Sequence, residues 1–494
     1  MGAKGVVAAG HPLTAEAGAQ VLRDGGNAVD AAICAVLTSF AVESPLTGFG
    51  AGGFMLVHDE SGDALLDFFV AAPGLDGTKR RSELLPISVY FTPDSPQVFN
   101  VGAASCGVPG TAAGLAEAAR RFGSMPIAEL AGPGIRAARE GAPLNAQQAF
   151  ILEILAPIHS EFEEARALYV PDGRVPKEGE TFRFPELADA LERFAADGPE
   201  PFYRGDVGRA ISDWVVEHGG TLAMADLAVY EPVSREPAHA HFRGADVLTN
   251  PPPSAGGILI AYCLALLERA GECGPQALVR AMEQANDARG DDFHNGLHED
   301  SYVDRFMADR LGSTTHLCAL DAEGRCATVT CSNGSGSGVI VPGTGVHLNN
   351  MLGEHDLNPL GFHVTPPGRR ISSMMAPTVV LRDGELLAGL GSAGSNRIRS
   401  AILQTIIRLV AEGMPAAEAV EAPRLHFEEG IVQAEPGIDE TALLALEDDG
   451  YGVARWHEIN LFFGGVQAVV RDPSTGAFGG GGDPRRGGAV VIAE

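Results

Sequence analysis

The stretch LGSTTHLCALD, residues 311–321, sets two threonines and a histidine directly after a Gly-Ser step at the head of an alternating run. A threonine hydroxyl is a weak nucleophile unless a base takes its proton. If the bond between Ser313 and Thr314 were broken, Thr314 would carry a hydroxyl and a free α-amine together, nucleophile and base on one residue. An α-amine has an unperturbed pKa of about 7.7 to 8.0, so an appreciable neutral fraction exists near pH 7. His316 then has no base's task to fill and reads as a strand residue that serves packing or self-processing. Acyl transfer also needs donors aimed at the developing oxyanion. The turn GSAGSNR, residues 391–397, is small enough to point successive backbone N–H groups one way.

These residues need a frame. Thr314, His316, Cys318 and Leu320 alternate with Thr315, Leu317 and Ala319, DAEG at 321–324 makes a turn, and RCATVTCS supplies a second strand, so the site sits on a hairpin. The polar, acid-rich segment 286–310 leads into it as an exposed approach, as backbone cleavage would require. Upstream, PLTAEAGAQVLR predicts a helix over 12–23 that ends at Gly25-Gly26. Asn27 then caps a more apolar, buried helix over 28–43. Gly48, Gly50 and Gly53 satisfy G-x-G-x-x-G, but a helix precedes them and a hairpin follows. A dinucleotide site needs the reverse order, so these glycines read as a place of close backbone approach. Further helical patterns occupy 111–123, 128–141, 186–198, 256–268 and 401–412, and the glycine-rich tail 476–488 reads as the one loose stretch.

Composition narrows the function. A formal charge of −29, from 64 acidic against 35 basic residues, repels nucleic acid and anionic membranes. Seven scattered cysteines without a C-x-x-C pair argue against a disulfide framework and a zinc site. The first residues, MGAKGVVAAGHPL, lack the pattern of a secretory leader, and no run approaches ~18 apolar residues. A cytoplasmic protein is the expectation, or an exported one if a leader has been removed.

An ordered set of motifs carries a resemblance: GHPLTAEAGAQVLRDGGNAVDAAICAV, GAGGFMLVH, NPPPSAGG, TTH, PGTGVHLNN, RRISSMMAPT, GSAGSNR and EAPRLHFE. Together they resemble the γ-glutamyltranspeptidases from about Gly5 to Arg485. The resemblance implies an α+β fold, a four-layer αββα sandwich of two stacked, mainly antiparallel sheets between helices, of the N-terminal-nucleophile hydrolase kind. It implies a proenzyme that cuts itself before Thr314 into a large subunit, 1–313, and a small subunit, 314–494, intertwined as one unit. Its substrates would be glutathione or other γ-glutamyl amides, with an amino acid, peptide or water as acceptor and no metal or organic cofactor. Residue by residue, Ser332 falls where a second threonine supports the nucleophile, and Asn333 where an asparagine binds substrate. Ser372 and Ser373 match a serine pair that holds the substrate carboxylate. Gly394 and Ser395 match the pair whose N–H groups form the oxyanion hole. Glu354 stands for an aspartate that grips the substrate amine.

One departure changes the expected donor. DFFVAAP places Phe69 where the family has an arginine for the γ-glutamyl α-carboxylate. A charged hydrogen bond of that kind is worth roughly ten- to a hundredfold in affinity. Arg80, Arg81, Arg369 and Arg370 are the candidates to replace it. Two alternatives follow: a related acylase for another acyl group, and an uncleaved, inactive relative that acts by binding.

Overall fold

The computed structural model describes residues 2–92, 95–287 and 315–494. Alternating apolar runs form most strands of the two main sheets. In chain order their strands are β1 (Gly5–Ala9), β2 (Gly52–Asp59), β3 (Gly62–Phe68), β4 (Val233–Arg235), β5 (Ala238–Phe242), β6 (Ala245–Thr249), β7 (Thr315–Asp321), β8 (Cys326–Ser332), β9 (Thr378–Arg382), β10 (Glu385–Ala393), β11 (Gly465–Arg471), β12 (Phe478–Gly482) and β13 (Ala489–Ala493). The first sheet runs β13-β1-β7-β8-β2-β3-β4 and the second β12-β11-β10-β9-β6-β5. Neighbours are antiparallel throughout both.

Strand side chains point alternately to opposite faces, and that alternation builds the layers. Val6, Ala8, Phe54, Leu56, Cys318 and Leu320 share one core with Val380, Leu390 and Ala468 of the second sheet. Their neighbours Val7, Ala9, Met55, Val57, Leu317 and Ala319 face the other way, into a core with α1 (Pro12–Arg23) and α2 (Ala28–Val42). A third helix, α3 (Ala146–His159), puts Leu152 into that same core and Ile151, Leu155 and Ile158 into a small separate cluster, whereas α4 (Gly256–Ala270) and α5 (Arg397–Val410) pack beside the second sheet through Leu264, Ile402 and Ile406. The result is the expected α+β sandwich of two antiparallel sheets between helices.

Every residue of α2 is buried, which explains its nearly continuous apolar sequence. It starts with a capping box of Asn27 and Asp30, and the Ala28 N–H donates to Asp321 Oδ2 at 3.0 Å. The turn between β7 and β8 is thereby tied to the helix behind it. Gly50 and Gly53 are places of close approach, as expected, since a methyl on Gly53 would collide with the Thr330 carbonyl and one on Gly50 with the His347 carbonyl, whereas Gly48 has only ordinary contacts. All seven cysteines are free thiols. Among the described residues no helix is long and apolar enough to cross a membrane.

Two expectations need correction. The pattern over 128–141 is broken into Ile127–Leu130 and Gly132–Glu140, with Pro133 opening the second helix. The tail 476–488 is not loose, since β12 pairs with β11 along its length. Gly481 lacks the side chain that would strike Ala416 and Val420, so the helix Ala416–Glu421 can lie directly on the strand. The acid-rich approach beyond Asp287 falls outside the described residues.

Candidate active site

Thr314, the expected nucleophile, lies outside the described residues, as does the Ser313–Thr314 bond that would divide the subunits. The strand it precedes is described. β7 starts at Thr315 opposite Cys331, and His316 stands opposite Thr330. The ring nitrogens of His316 are engaged, Nδ1 with Thr330 Oγ1 at 2.9 Å and Nε2 with Cys318 Sγ at 2.8 Å. Burial pulls its pKa down to about 3, so the ring is neutral near neutral pH.

At this end of the sheets a cleft opens, with about 100 Å³ of accessible space. Ser332 at the end of β8, with Gly334 and Ser335 just beyond it, lines it, Gly394, Ser395 and Arg397 line it where β10 turns into α5, and Glu354 and Arg486 complete the polar wall. The apolar wall comes from Leu46, Phe99, Ile151, Ile154, Leu155 and Leu461.

The turn at 394–396 is strained and pinned. Gly394 has φ +119°, and Ser395 has φ +53°, uncommon for a residue with a side chain. Asp356 holds the turn by accepting from the Ser395 hydroxyl at 2.5 Å and from the Asn396 amide at 2.9 Å. Asn396 also donates to Glu428 at 2.6 Å. Among the described residues no acceptor takes the backbone N–H of Gly394 or Ser395. These donors stand at the N-terminus of α5, where the helix dipole adds a positive field. A developing oxyanion would find both there.

Opposite this turn, Glu354 accepts from the Ser335 N–H at 3.1 Å. Its carboxyl is buried although the residue keeps some exposure. Burial, with the charge of Asp356, pushes its pKa up to about 7. Ser332 Oγ accepts from the Gly334 N–H at 2.7 Å and so shapes the bend after β8. The amide of Asn333 is fully buried with neither polar atom partnered, although its backbone is fixed by Leu46 and Asn350. An orphaned buried amide beside a cleft is available to a ligand.

The structure thus brings Ser332, Glu354, Gly394 and Ser395 to one cleft, with Asn333 in its rim segment. Ser372 and Ser373 are not among the residues lining it. Ser373 Oγ accepts from the Met375 N–H at 3.1 Å, and its carbonyl accepts from Ala255 and Ser254. Phe69 is buried and stacked on Phe54 at 5.4 Å. None of the four candidate arginines lines the cleft. Arg370 pairs with Asp67 at 3.3 Å, Arg80 with Glu83 at 3.2 Å, Arg81 donates to the Val216 carbonyl at 2.5 Å, and Arg369 is exposed. The cations actually present, Arg397 and Arg486, were missed. Their signal was the arginine that follows GSAGSN and the doublet in GGDPRRGG.

Comparison with known proteins agrees with this geometry. The family model Gamma-glutamyltranspeptidase matches residues 14–295 and 283–493. The chain is 31% identical to the Acylase ACY 1 proenzyme of Pseudomonas sp. (strain SE83), covering 96% of this chain and 90% of that protein. It is 29% identical to the Glutathione hydrolase proenzyme of Escherichia coli (strain K12), covering 98% and 90%. Among solved structures, cephalosporin acylase from Bacillus halodurans matches with a TM-score of 0.83 at 27% identity, over 99% of this chain and 96% of that one. Sandwich, cleft and motif order all lead to one assignment: the chain belongs to the gamma-glutamyltranspeptidase family of enzymes and has its N-terminal-nucleophile hydrolase fold.

Proposed function

We propose that this enzyme is made as a proenzyme, cuts itself between Ser313 and Thr314, and uses Thr314 to transfer or hydrolyse the acyl group of a small γ-glutamyl or related amide. One observation carries the reading: unclaimed N–H groups at Gly394 and Ser395 share a cleft with the end of the strand pair that Thr314 precedes. The α-amine freed by cleavage takes the hydroxyl proton, the hydroxyl oxygen attacks the amide carbon, and the oxyanion is held at 394–395. The proton passes to the leaving amine. Water, an amino acid or a peptide then takes the acyl group from Thr314, and the two subunits remain together as a heterodimer.

Denatured mass tests it first. The wild-type chain should give fragments 1–313 and 314–494 with Thr314 as the new terminus, whereas Thr314→Ala stays whole and releases no p-nitroaniline from acyl anilides. A wild-type chain that stays whole would return the protein to the binding role.

A second reading keeps the mechanism and changes the acyl group. Phe69 is locked into the core, so its position offers the glutamyl α-carboxylate no cation. The resemblance to Acylase ACY 1 proenzyme favours the same direction. Comparing γ-glutamyl- with glutaryl-p-nitroanilide decides between them.

A further inference from the structure

The turn with the two unclaimed N–H groups has a serine where its backbone asks for a glycine. Gly394 adopts φ +119° freely, but Ser395 at φ +53° bears the steric cost that a Cβ brings to the left-handed region. Such a conformation persists only where the surroundings impose it. Asp356, in the short helix His355–Leu357, imposes it here. Its Oδ2 takes the Ser395 hydroxyl at 2.5 Å and its Oδ1 takes the Asn396 amide at 2.9 Å, so one carboxylate grips two successive side chains of the turn. Hydrogen bonds to an ionised group are the stronger kind.

The grip is braced from behind. Asn396 Nδ2 also donates to Glu428 Oε1 at 2.6 Å, and turning the amide over would set its oxygen against two carboxylates. Glu428 Oε2 meets His426 Nε2 at 3.3 Å, and His426 Nδ1 meets Ser400 Oγ at 2.9 Å. The Ser400 hydroxyl donates to the Arg397 carbonyl at 3.0 Å. The chain of contacts thus leaves the turn at Asn396 and returns to the first turn of α5, which gives His426 and Glu428 of the EAPRLHFE motif a task. Neither Asp356 nor Glu428 lines the cleft. A negative charge behind an oxyanion hole would by itself weaken the hole, so Asp356 can favour the reaction only through geometry.

We propose that Asp356 is a positioning residue for acyl transfer: by latching the Ser395 hydroxyl it keeps the N–H groups of 394–395 set to receive the oxyanion. The proposal rests on the cleft being the acyl-transfer site.

A double-mutant cycle of Asp356→Ala and Ser395→Gly tests it, read on γ-glutamyl- and glutaryl-p-nitroanilide and normalised to the cleaved fraction of each protein. Glycine holds a positive φ without a latch, so the loss caused by Asp356→Ala should depend on the residue at 395. With serine there, kcat should fall roughly ten- to a hundredfold and KM change little, short of the ~100- to 1000-fold that follows loss of a whole oxyanion donor. In the Ser395→Gly background the same substitution should cost roughly threefold or less. Asp356→Asn, which keeps an acceptor for the hydroxyl, should lie between wild type and Asp356→Ala. Equal losses in both backgrounds would overturn the proposal and make Asp356 a general support of the fold. A loss confined to KM would also overturn it and make Asp356 a substrate contact. Crystal structures read the latch without turnover: Ser395 should leave the left-handed region in Asp356→Ala, whereas the double variant keeps the turn. A Ser395 φ unchanged in Asp356→Ala overturns the latch. If wild type turns over neither anilide, the acyl-transfer reading is what has failed, and the latch still stands or falls by these structures.

Discussion

Where α2 ends, Glu43 is 2% exposed and accepts a hydrogen bond from the Thr14 hydroxyl at 3.0 Å. Burial outweighs that hydrogen bond and the charge of Arg486, and raises its pKa to about 7. The folded state therefore holds a proton that the unfolded chain releases near its ordinary value of 4.5. The corresponding stability is complete below about 4.5 and is lost as pH rises through about 7. Glu43→Gln keeps the shape and the acceptor for Thr14 but never ionises. The variant should match wild type at pH 5 and exceed it at pH 8.5 by roughly 2 to 3 kcal/mol, read from urea unfolding at both pH values. A constant difference between the two would show that Glu43 is ionised throughout. Glu354 is displaced in the same direction, by burial and the charge of Asp356.

Among the elements, β2 is tightly squeezed. Gly53 pairs with Cys331 on one side and Phe68 on the other, and a methyl there would meet the Thr330 carbonyl and come within 2.8 Å of the Phe68 ring. Backbone cannot yield as a side chain does, so Gly53→Ala should cost roughly 1 to 3 kcal/mol. A urea midpoint unchanged from wild type would mean the strands separate more easily than this packing allows. The same strand shows what sequence conveys. The β7–β8 and β2–β3 hairpins, α1 and α2 were legible because one-sided burial writes a period of two or 3.6 into the residues. β12 was not, because FGGGG has no side-chain period and is ordered by what packs against its bare backbone. Gly394 and Ser395 were legible through a local turn. Arg486 was not, since its direction depends on ion pairs joining Asp483 and Arg485 to Arg424 and Glu435 far along the chain. Arg370 was misleading for a similar reason: it looked free in sequence, yet Asp67 claims it.

Taken as a whole, the molecule buries histidines in several layers at once. Burial lowers His11 and His347 to about 4 and His316 to about 3, and His159 and His426 are lowered by burial as well. The rings of His11, His159, His316 and His347 are neutral in the fold near neutral pH and bind a proton near 6.5 once unfolded. Their contribution to stability is complete above about 6.5 and is lost as pH falls towards the folded values. At pH 5 a single ring kept neutral costs about 2 kcal/mol, so several together approach the 5 to 15 kcal/mol that holds an ordinary domain. The raised carboxyls at Glu43 and Glu354 oppose this only in part, which places maximum stability near neutral pH. His159 offers the cleanest test. It is fully buried, stacked on Tyr169 at 4.2 Å, and neither ring nitrogen has a partner. Phenylalanine can keep that stack and forfeits no hydrogen bond. His159→Phe should be at least as stable as wild type at pH 7.5 and gain a further ~2 kcal/mol at pH 5, seen as a lower acid-unfolding midpoint by circular dichroism. If the variant and wild type unfold at the same pH, the acid limit of this fold lies elsewhere than in its buried imidazoles.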